Sequence, residues 1–386
     1  MPGMVLALLA APLAMSANSP AIILATIAAD LDVSVRAATW LVMMFGWALA
    51  VGTPLMAGLL RHRGIHATLM LSTALVTAGT SLAAIAPSLT VLLPGRAAQA
   101  IGGAGLVTVA MSLANGSARR MGMITAGFGM FGATGPLLGS MVTDATSWRA
   151  AFVLQTMTLL AVPIVAKRAA RHPTSNDRPF DARGSLLLVA FVTATVFTPH
   201  FPLPAIAGAV LAAGLLAAHL RARPLGFIPA ALLRTRAFLL ASGLALALGT
   251  SYFLLLYAVP RLLTQHQGWT ATRIGTGQLM ALLVGSATSW GLTVVSSRLH
   301  RAALLATLIG FGALAPITAA ITPWAPLLLA ACAVAALAAA AGQATLAVIA
   351  TNAAPTPQKP TAIGLFNLCY QLGGAFGPTL AAILIS

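Results

Sequence analysis

The stretch FGATGPLLG at residues 131–139 decides the fold, because LGGAFGPTL at residues 372–380 resembles it. Each stretch carries closely spaced glycines and a Gly-Pro pair within a long apolar run. A second pair of similar stretches forms basic turns, RHRGIHATLM at residues 61–70 and RLHRAALL at residues 298–305. Two similar halves with Gly- and Pro-interrupted apolar helices in matching positions are typical of secondary transporters. The sequence therefore predicts two pseudo-repeated bundles with a cleft between them.

The composition predicts an all-α polytopic membrane protein. Of the 386 residues, 59% are hydrophobic and 7% are charged, whereas roughly a quarter of a soluble chain is charged. The two cysteines, Cys332 and Cys369, lie in apolar runs and indicate no disulfide framework. No nucleotide-binding loop, metal-ligand cluster or nucleophile–base pair is recognisable, so we predict no cofactor, no metal and no ATP-driven activity.

Apolar runs of about 20 residues, the length that spans a bilayer, predict about 13 transmembrane helices. They lie near residues 5–28, 37–60, 67–86, 90–114, 121–143, 149–166, 184–199, 203–220, 237–259, 274–296, 302–321, 325–350 and 361–385. The two runs within 184–220 are short and bounded by proline, so the alternative is that they do not both cross. We divide the chain into an N-terminal bundle at 1–166, cytoplasmic loops with two extra helices at 167–236, and a C-terminal bundle at 237–386.

The formal net charge of +16 comes from basic residues concentrated in alternate loops. Lys and Arg favour the cytoplasmic loops of membrane proteins, so the pattern places the N-terminus and the loops at 167–183 and 221–236 in the cytoplasm. The excess charge therefore predicts contact with membrane lipids and no nucleic-acid partner. Arg outnumbers Lys and the runs are rich in Ala, which suggests a GC-rich bacterial genome and hence the bacterial plasma membrane.

Several motifs resemble those of a known family. RAAQAIGGA at residues 96–104 resembles an R-x-x-Q-G motif of a fourth helix. GPLLGS at residues 135–140 resembles an antiporter motif of a fifth helix. SWRAAF at residues 147–152 resembles the motif at which a sixth helix begins. Residues 180–184, and residues 224–225 together with 234–238, resemble segments that flank two inserted helices. The chain thus resembles the multidrug exporter branch of the major facilitator superfamily, drug:proton antiporters with two extra helices between six-helix halves. The resemblance implies the major facilitator fold, with the family's last helix expected to be missing.

The chain departs from the family pattern at its charged residues. Arg61 stands where the loop after the second helix carries an Asp, and Ser16 stands where the first helix carries one. Intramembrane carboxylates usually relay protons in coupled transporters, so proton coupling is implied by the resemblance and weakened by the residues. The acidic residues are all predicted at helix ends or in loops: Asp30, Asp32, Asp144, Asp177 and Asp181. The histidines that could titrate, His200, His219 and His266, are also predicted there.

Arg96 and Gln99 are three residues apart and share a helical face. A buried Arg in a membrane helix usually has partners and a function. The pair is therefore predicted to bind a substrate carboxylate or carbonyl, or backbone carbonyls of the first helix; the alternative is an Arg that extends to the outer interface. The resemblance implies that the first, fourth, seventh and tenth core helices line the cleft, which favours as substrate-binding residues Asn18, Arg96, Gln99, Tyr252 and Gln343.

The matched Gly-Pro pairs predict bends in both halves. Proline removes a backbone donor and kinks a helix, while glycine permits a close neighbour. Such bends suit helices that rock about a central site, whereas the alternative is static packing. The residues predicted to act in this way are Gly135, Pro136, Gly139, Gly377 and Pro378.

These observations support two hypotheses on function. The first is a secondary transporter that exports an amphipathic small molecule by alternating access. The second is a membrane protein of the same fold without ion coupling, which acts on a lipophilic substrate as an intramembrane enzyme or accessory subunit. The absence of a carboxylate at predicted membrane depth and the presence of Arg61 motivate the second.

Overall fold

The computed structural model describes residues 2–38, 40–114, 116–169, 181–198, 201–224, 226–296 and 300–384. Within these ranges the chain is helical and contains no β-strand, which confirms the predicted all-α fold class. Eight of the described helices are long and apolar enough to cross a membrane. The total of about 13 crossings stays a prediction.

The N-terminal apolar segment is divided into three consecutive helices. Pro12 and Pro20 begin the second and third, because proline lacks the N–H that a helix interior requires and is accommodated in the first turn. The pieces are α1 (Gly3–Ala10), α2 (Pro12–Asn18) and α3 (Pro20–Asp30).

The helices that follow in the first half include three long ones, α5, α6 and α7. The longest, α5, has 46 residues and turns a corner at Gly64, whose φ of 78° lies in the left-handed region that favours glycine. This corner lies within the predicted basic turn. The elements are α4 (Val35–Ala38), α5 (Trp40–Ile85), α6 (Leu89–Leu113), α7 (Ala118–Ala145), α8 (Trp148–Val153), a 3₁₀ segment (Leu154–Ala161) and α9 (Val162–Ala169).

The remaining helices comprise an inserted pair and the second half. The inserted pair is α10 (Ala182–Phe197) and α11 (Pro202–Ala222), followed by the short α12 (Ala230–Arg234). The second half contains α13 (Arg236–Gln267), α14 (Ala271–Ser296), α15 (Arg301–Ile321), α16 (Ala325–Asn352) and α17 (Lys359–Leu384). The predicted domain boundaries near residues 166 and 236 stay predictions.

The two Gly-rich stretches of the repeat each press their helix against the backbone of another helix in the same half. A methyl group added to Gly135 of α7 would lie 2.6 Å from the carbonyl oxygen of Met15 in α2. A methyl group added to Gly377 of α17 would lie 2.6 Å from the backbone nitrogen of Leu254 in α13. Small residues allow such close helix approach in membrane proteins. The sequence repeat therefore corresponds to a repeated helix–helix contact.

The halves contact each other at one end and in the middle. We call the end that carries Arg61, Arg119 and Lys359, predicted to be cytoplasmic, the basic end. Near it, Gly364 of α17 packs against Ala57 of α5. Toward the middle, α7 packs against α14 and α16 through a small apolar cluster of Ala133, Leu282 and Ala336. The protein is thus closed between its halves at the basic end.

Candidate functional site

Arg96 of α6 is fully buried inside the first half. Its Nη1 donates to Ser16 Oγ at 2.9 Å and to Gln99 Oε1 at 2.8 Å, and its Nη2 donates to the Ser16 carbonyl oxygen at 2.9 Å. The guanidinium carbon also lies 4.3 Å from the ring centroid of Phe45 and 4.6 Å from that of Phe152. The sequence left open whether Arg96 bonds to a carbonyl of the first apolar segment or extends to the outer interface. The structure shows the bond to a carbonyl of that segment, in α2. The prediction of an interfacial Arg96 is wrong, because the side chain is fully buried.

Gln99 joins the Arg96 site to two further helices. Its side-chain nitrogen donates to Thr80 Oγ1 at 2.8 Å and to the Phe152 carbonyl oxygen at 3.1 Å. Gln155 in turn donates to the backbone carbonyl of Gln99 at 2.9 Å. The Arg96–Gln99 pair therefore lies in the interior of the N-terminal bundle and ties α2, α5, α6 and the α8 region together.

The positive charge of Arg96 is stabilised by neutral groups. The ion pairs within the described residues are Arg149–Asp30 and His219–Asp181, and neither involves Arg96. Burying a charge costs free energy unless it is hydrogen-bonded, and the three oxygens with the two aromatic faces supply that compensation. Ser16, at the position of the family's Asp, contributes two of those oxygens. The arrangement holds a fixed positive charge within the protein interior.

Asn18 lies at the contact between α2 and α7. Its side-chain nitrogen donates to the Gly132 carbonyl oxygen at 2.9 Å, beside the close approach of Gly135 to Met15. A methyl group added to Gly139, one turn further along α7, would lie 2.8 Å from the carbonyl oxygen of Ser19. Pro136 lies inside α7, which continues through it. Pro378 lies within α17, and its side chain is outside the described part of the structure.

The remaining predicted residues belong to the second half. Tyr252 of α13 makes an edge contact with Phe253 at 5.0 Å between ring centroids, and Phe253 contacts Tyr370 at 6.2 Å. Gln343 donates to Asn367 Oδ1 at 3.3 Å, and Asn367 Nδ2 lies 2.9 Å from the sulfur of Met111 in α6. Asn367 thereby bridges the halves.

The structure thus distributes the five predicted residues over separate places. Arg96 and Gln99 adjoin each other, Asn18 binds α7, Tyr252 belongs to an aromatic group, and Gln343 approaches the contact between halves. Their role in substrate binding stays a prediction. The selection from sequence omitted Asn367, although an amide within an apolar run was a usable signal.

Asp30 has a structural role at the end of α3 opposite the basic end. Its Oδ2 accepts hydrogen bonds from Trp148 Nε1 at 3.0 Å and Arg149 Nη1 at 2.8 Å, and Arg149 also donates to the Ala86 carbonyl oxygen at 3.0 Å. The hydrogen bonds from Trp148 and Arg149 lower the pKa of Asp30 below its usual value. The SWRAAF motif thereby fastens the ends of three helices.

The three other acidic residues that the structure describes also occupy the predicted places. Asp32 follows α3, Asp144 lies in the last turn of α7, and Asp181 precedes α10. Asp177 and His200 lie outside the described residues, while His219 and His266 lie in the last turns of α11 and α13. Within the part of the chain that the structure describes, no group of three metal-binding side chains occurs.

Comparison with known proteins identifies the family. The family model described as Major Facilitator Superfamily matches residues 4–385. The chain belongs to the major facilitator superfamily. Membership favours a transporter over the alternative of an intramembrane enzyme.

Several curated relatives are named for resistance or drug export. Multidrug resistance protein Stp of Mycobacterium tuberculosis is 30% identical over 166 residues, which cover 41% of this chain and 31% of that protein. Lincomycin resistance protein of Streptomyces lincolnensis is 31% identical over 253 residues, 58% of this chain and 50% of the relative. Multidrug export protein EmrB of Haemophilus influenzae is 28% identical over 172 residues, which cover 42% of this chain and 34% of that protein. The matches span about a third to a half of these relatives.

A solved structure supports the fold over the whole chain. The crystal structure of the human organic anion transporter MFSD10 (TETRAN) superposes with a TM-score of 0.69 at 19% identity, covering 99% of this chain and 92% of that one. This similarity confirms the major facilitator fold.

Proposed function

We propose that the protein exports an amphipathic small molecule across the bacterial plasma membrane by alternating access, with its N-terminus in the cytoplasm. The observation that carries the proposal is the difference between contacts within and between halves. Within each half, glycines bring helix backbones into contact, as at Gly135 and Gly377. Between the halves, a bond such as that from Asn367 to Met111 can separate without breaking a bundle. Two stiff bodies joined by contacts that can separate suit alternating access.

The substrate site in this proposal lies between the halves. Asn18 and the small-residue face of α7 form one wall, and Tyr252 with the Phe253–Tyr370 aromatic group forms the other. Amide and hydroxyl groups beside aromatic rings suit a ligand with an apolar body and a few polar groups. The names of the curated relatives, which include multidrug export and lincomycin resistance, are consistent with such a substrate.

Arg96 in this proposal acts on the substrate through its charge. Hydrogen bonds and aromatic rings stabilise the guanidinium, but neither described ion pair involves it, so its net positive charge remains and its field extends into the bundle. A like charge in a low-dielectric cleft is repelled, which favours neutral or anionic substrates over permanently cationic ones. Because the described acidic residues lie at helix ends, we also propose that transport proceeds without a carboxylate relay in the membrane interior.

Transport by purified protein in sealed proteoliposomes tests this function. We expect uptake of an anionic or neutral amphipathic dye, against little uptake of a quaternary ammonium dye. Arg96→Ala should abolish the preference, whereas Arg273→Ala should keep it because Arg273 is exposed in the second half. Robust transport of the quaternary dye by the unmodified protein would show that Arg96 has no such effect. Uptake with and without an imposed pH gradient measures proton coupling in the same vesicles.

A further inference from the structure

The segment that follows the inserted helix pair folds back onto Asp181. The Asp181 carboxylate accepts a hydrogen bond from the backbone N–H of Phe227 at 2.9 Å and one from that of Gly184 at 3.0 Å. It also lies 2.9 Å from His219 Nε2 near the end of α11. One buried carboxylate therefore ties the beginning of α10, the end of α11 and the connection to α12.

The hydrogen bonds keep this carboxylate ionised. Burial raises the pKa of Asp181, but the bonds from Phe227, Gly184 and His219 outweigh it and leave the pKa below its usual value. A carboxylate that accepts backbone N–H bonds is stabilised in its charged form. The attachment point of the segment is thus a persistent anion.

The next residues of the segment insert into the first half. Phe227 is 1% exposed, and its ring occupies the space beside Gly58 of α5, where any side chain at position 58 would collide with it. Arg61 Nη2 donates to the Gly226 carbonyl oxygen at 3.1 Å. Ile228 is buried as well. The segment is therefore anchored to the last turns of α5 before the Gly64 corner.

The same turns of α5 also bind the second half. Gly364 of α17 packs against Ala57 and lies near the Thr53 carbonyl oxygen, so that a methyl group there would be 3.4 Å from that oxygen. Ala57 and Gly58 are consecutive, so α17 and the Phe227 ring contact adjacent positions of one helix. Anything that shifts this part of α5 changes the contact between the halves.

We infer that Asp181, Gly226 and Phe227, with their partners Gly58 and Arg61, form a latch through which the inserted helices hold the halves closed at the basic end. Phe227 fixes the position of α5, and α5 in that position receives Gly364 of α17. By sequence, Arg61 stands where the family motif has an Asp. Its hydrogen bond to the Gly226 carbonyl therefore replaces, in this closed arrangement, the contact that the Asp would make. This inference rests on the proposed function, alternating access. Its test measures the distance between the two halves and requires no transport.

Distance measurement between spin labels tests the latch. Cysteines are introduced at Arg119 and Asn352, two exposed residues on opposite halves; Asn352 lies 3.5 Å from the position of a methyl group on Gly116. The native Cys332 and Cys369 are replaced by Ala. Phe227→Ala should raise the ratio of the population with the long label distance to that with the short one about tenfold. The reason is that the space beside Gly58 is then empty, and no side chain holds α5 in place. Phe201→Ala, which removes an exposed ring at the start of α11, should leave the ratio unchanged.

Three further variants make the result decisive. Gly58→Ala combined with Phe227→Ala places a methyl group in the vacated space and should recover part of the short distance. Arg61→Gln, which can still donate to Gly226, should stay closer to the unmodified ratio than Arg61→Ala. An unmodified distance distribution in both folded Phe227→Ala and Arg61→Ala overturns the latch. If Phe227→Ala does not fold, the Arg61 pair alone decides. Transport measured on the same variants separates failure of the latch from failure of the proposed function.

Discussion

The two halves place one residue at the same position of corresponding helices and give it different chemistry. Arg96 is the eighth residue of α6, and Cys332 is the eighth residue of α16. Arg96 donates to the Ser16 carbonyl of α2, while Cys332 Sγ lies 3.7 Å from the Leu255 carbonyl of α13. Both residues are buried, and both contact the helix against which the Gly-Pro helix of their half packs.

This difference shows that the repeat conserves geometry without conserving charge. The first half uses an ion with three hydrogen bonds and two aromatic contacts, so its helices are joined by directional bonds. The second half uses a thiol, a weak donor that behaves largely as a small apolar group. At this position the first half therefore depends on a polar side chain more than the second does.

The largest expected effect comes from truncating the two corresponding residues. Arg96→Ala leaves the Ser16 and Gln99 oxygens without their donor and creates a cavity, which should lower the free energy of unfolding by about 3 kcal/mol. Cys332→Ala should lower it by less than about 1 kcal/mol, since a small side chain and a weak bond are lost. Thermal or denaturant unfolding in one detergent compares them. Equal losses in the two halves would contradict the comparison.

The substitution Arg96→Lys sharpens the same comparison. A lysine keeps the positive charge but loses the planar fork that reaches both Ser16 oxygens and Gln99. We expect the preference against cationic dyes to persist while stability and transport rate fall partway toward those of Arg96→Ala. Dye uptake and unfolding are measured on the same preparation. Loss of the preference with intact folding would mean that the effect depends on the fork, and that charge alone is insufficient.

The next effect tests the shared geometry of the halves. Gly135→Ala and Gly377→Ala each put a methyl group 2.6 Å from a backbone atom, so both should destabilise by about 1–3 kcal/mol. Gly243→Ala serves as the control, because nothing lies within 4 Å of the added methyl group. If only Gly135→Ala were destabilising, the packing of the halves would not be equivalent.

The smallest effect concerns the ends opposite the basic end. The first half fastens this end with the Asp30–Arg149 pair, and the second uses the bond from Gln267 to the Pro323 carbonyl at 3.1 Å. Asp30 has a lowered pKa in the folded protein, so its contribution is present above the ordinary Asp pKa of about 3.9 and is lost as pH falls through the folded-state value. Asp30→Asn should therefore melt slightly below the unmodified protein at pH 7 and no lower than it in acid.

The matched control for that measurement is Gln267→Ala, whose effect should not change with pH over this range. The exposed Asp30 pair is screened by salt, so added salt should also reduce the Asp30→Asn difference. Transport should remain close to that of the unmodified protein in Asp30→Asn. Complete loss of gradient-driven transport in this variant would indicate that Asp30 relays protons, which contradicts the proposal of transport without a carboxylate relay.

The helical membrane fold, the two halves and the pairing of Arg96 with Gln99 could all be predicted from the amino-acid sequence. Each follows from local information: apolar run length, repeated Gly-Pro stretches and a spacing of three residues on a helix. The positions of the aspartates relative to helix ends were equally readable. The corner at Gly64 was predicted as a turn between two helices, and the non-helical backbone of Gly64 separates the two helical parts of α5 there.

The direction in which each polar side chain faces became known from the packing of the helices in three dimensions. The helices are apolar around most of their circumference, so the contrast of polar and apolar faces that orients a helix in a soluble protein is weak here. Sequence could not show that Arg96 points to Ser16, that Asn367 reaches Met111, or that Phe227 occupies the space beside Gly58. Each of these contacts joins segments distant in the chain, and each depends on which backbone surfaces lie close enough to admit a side chain.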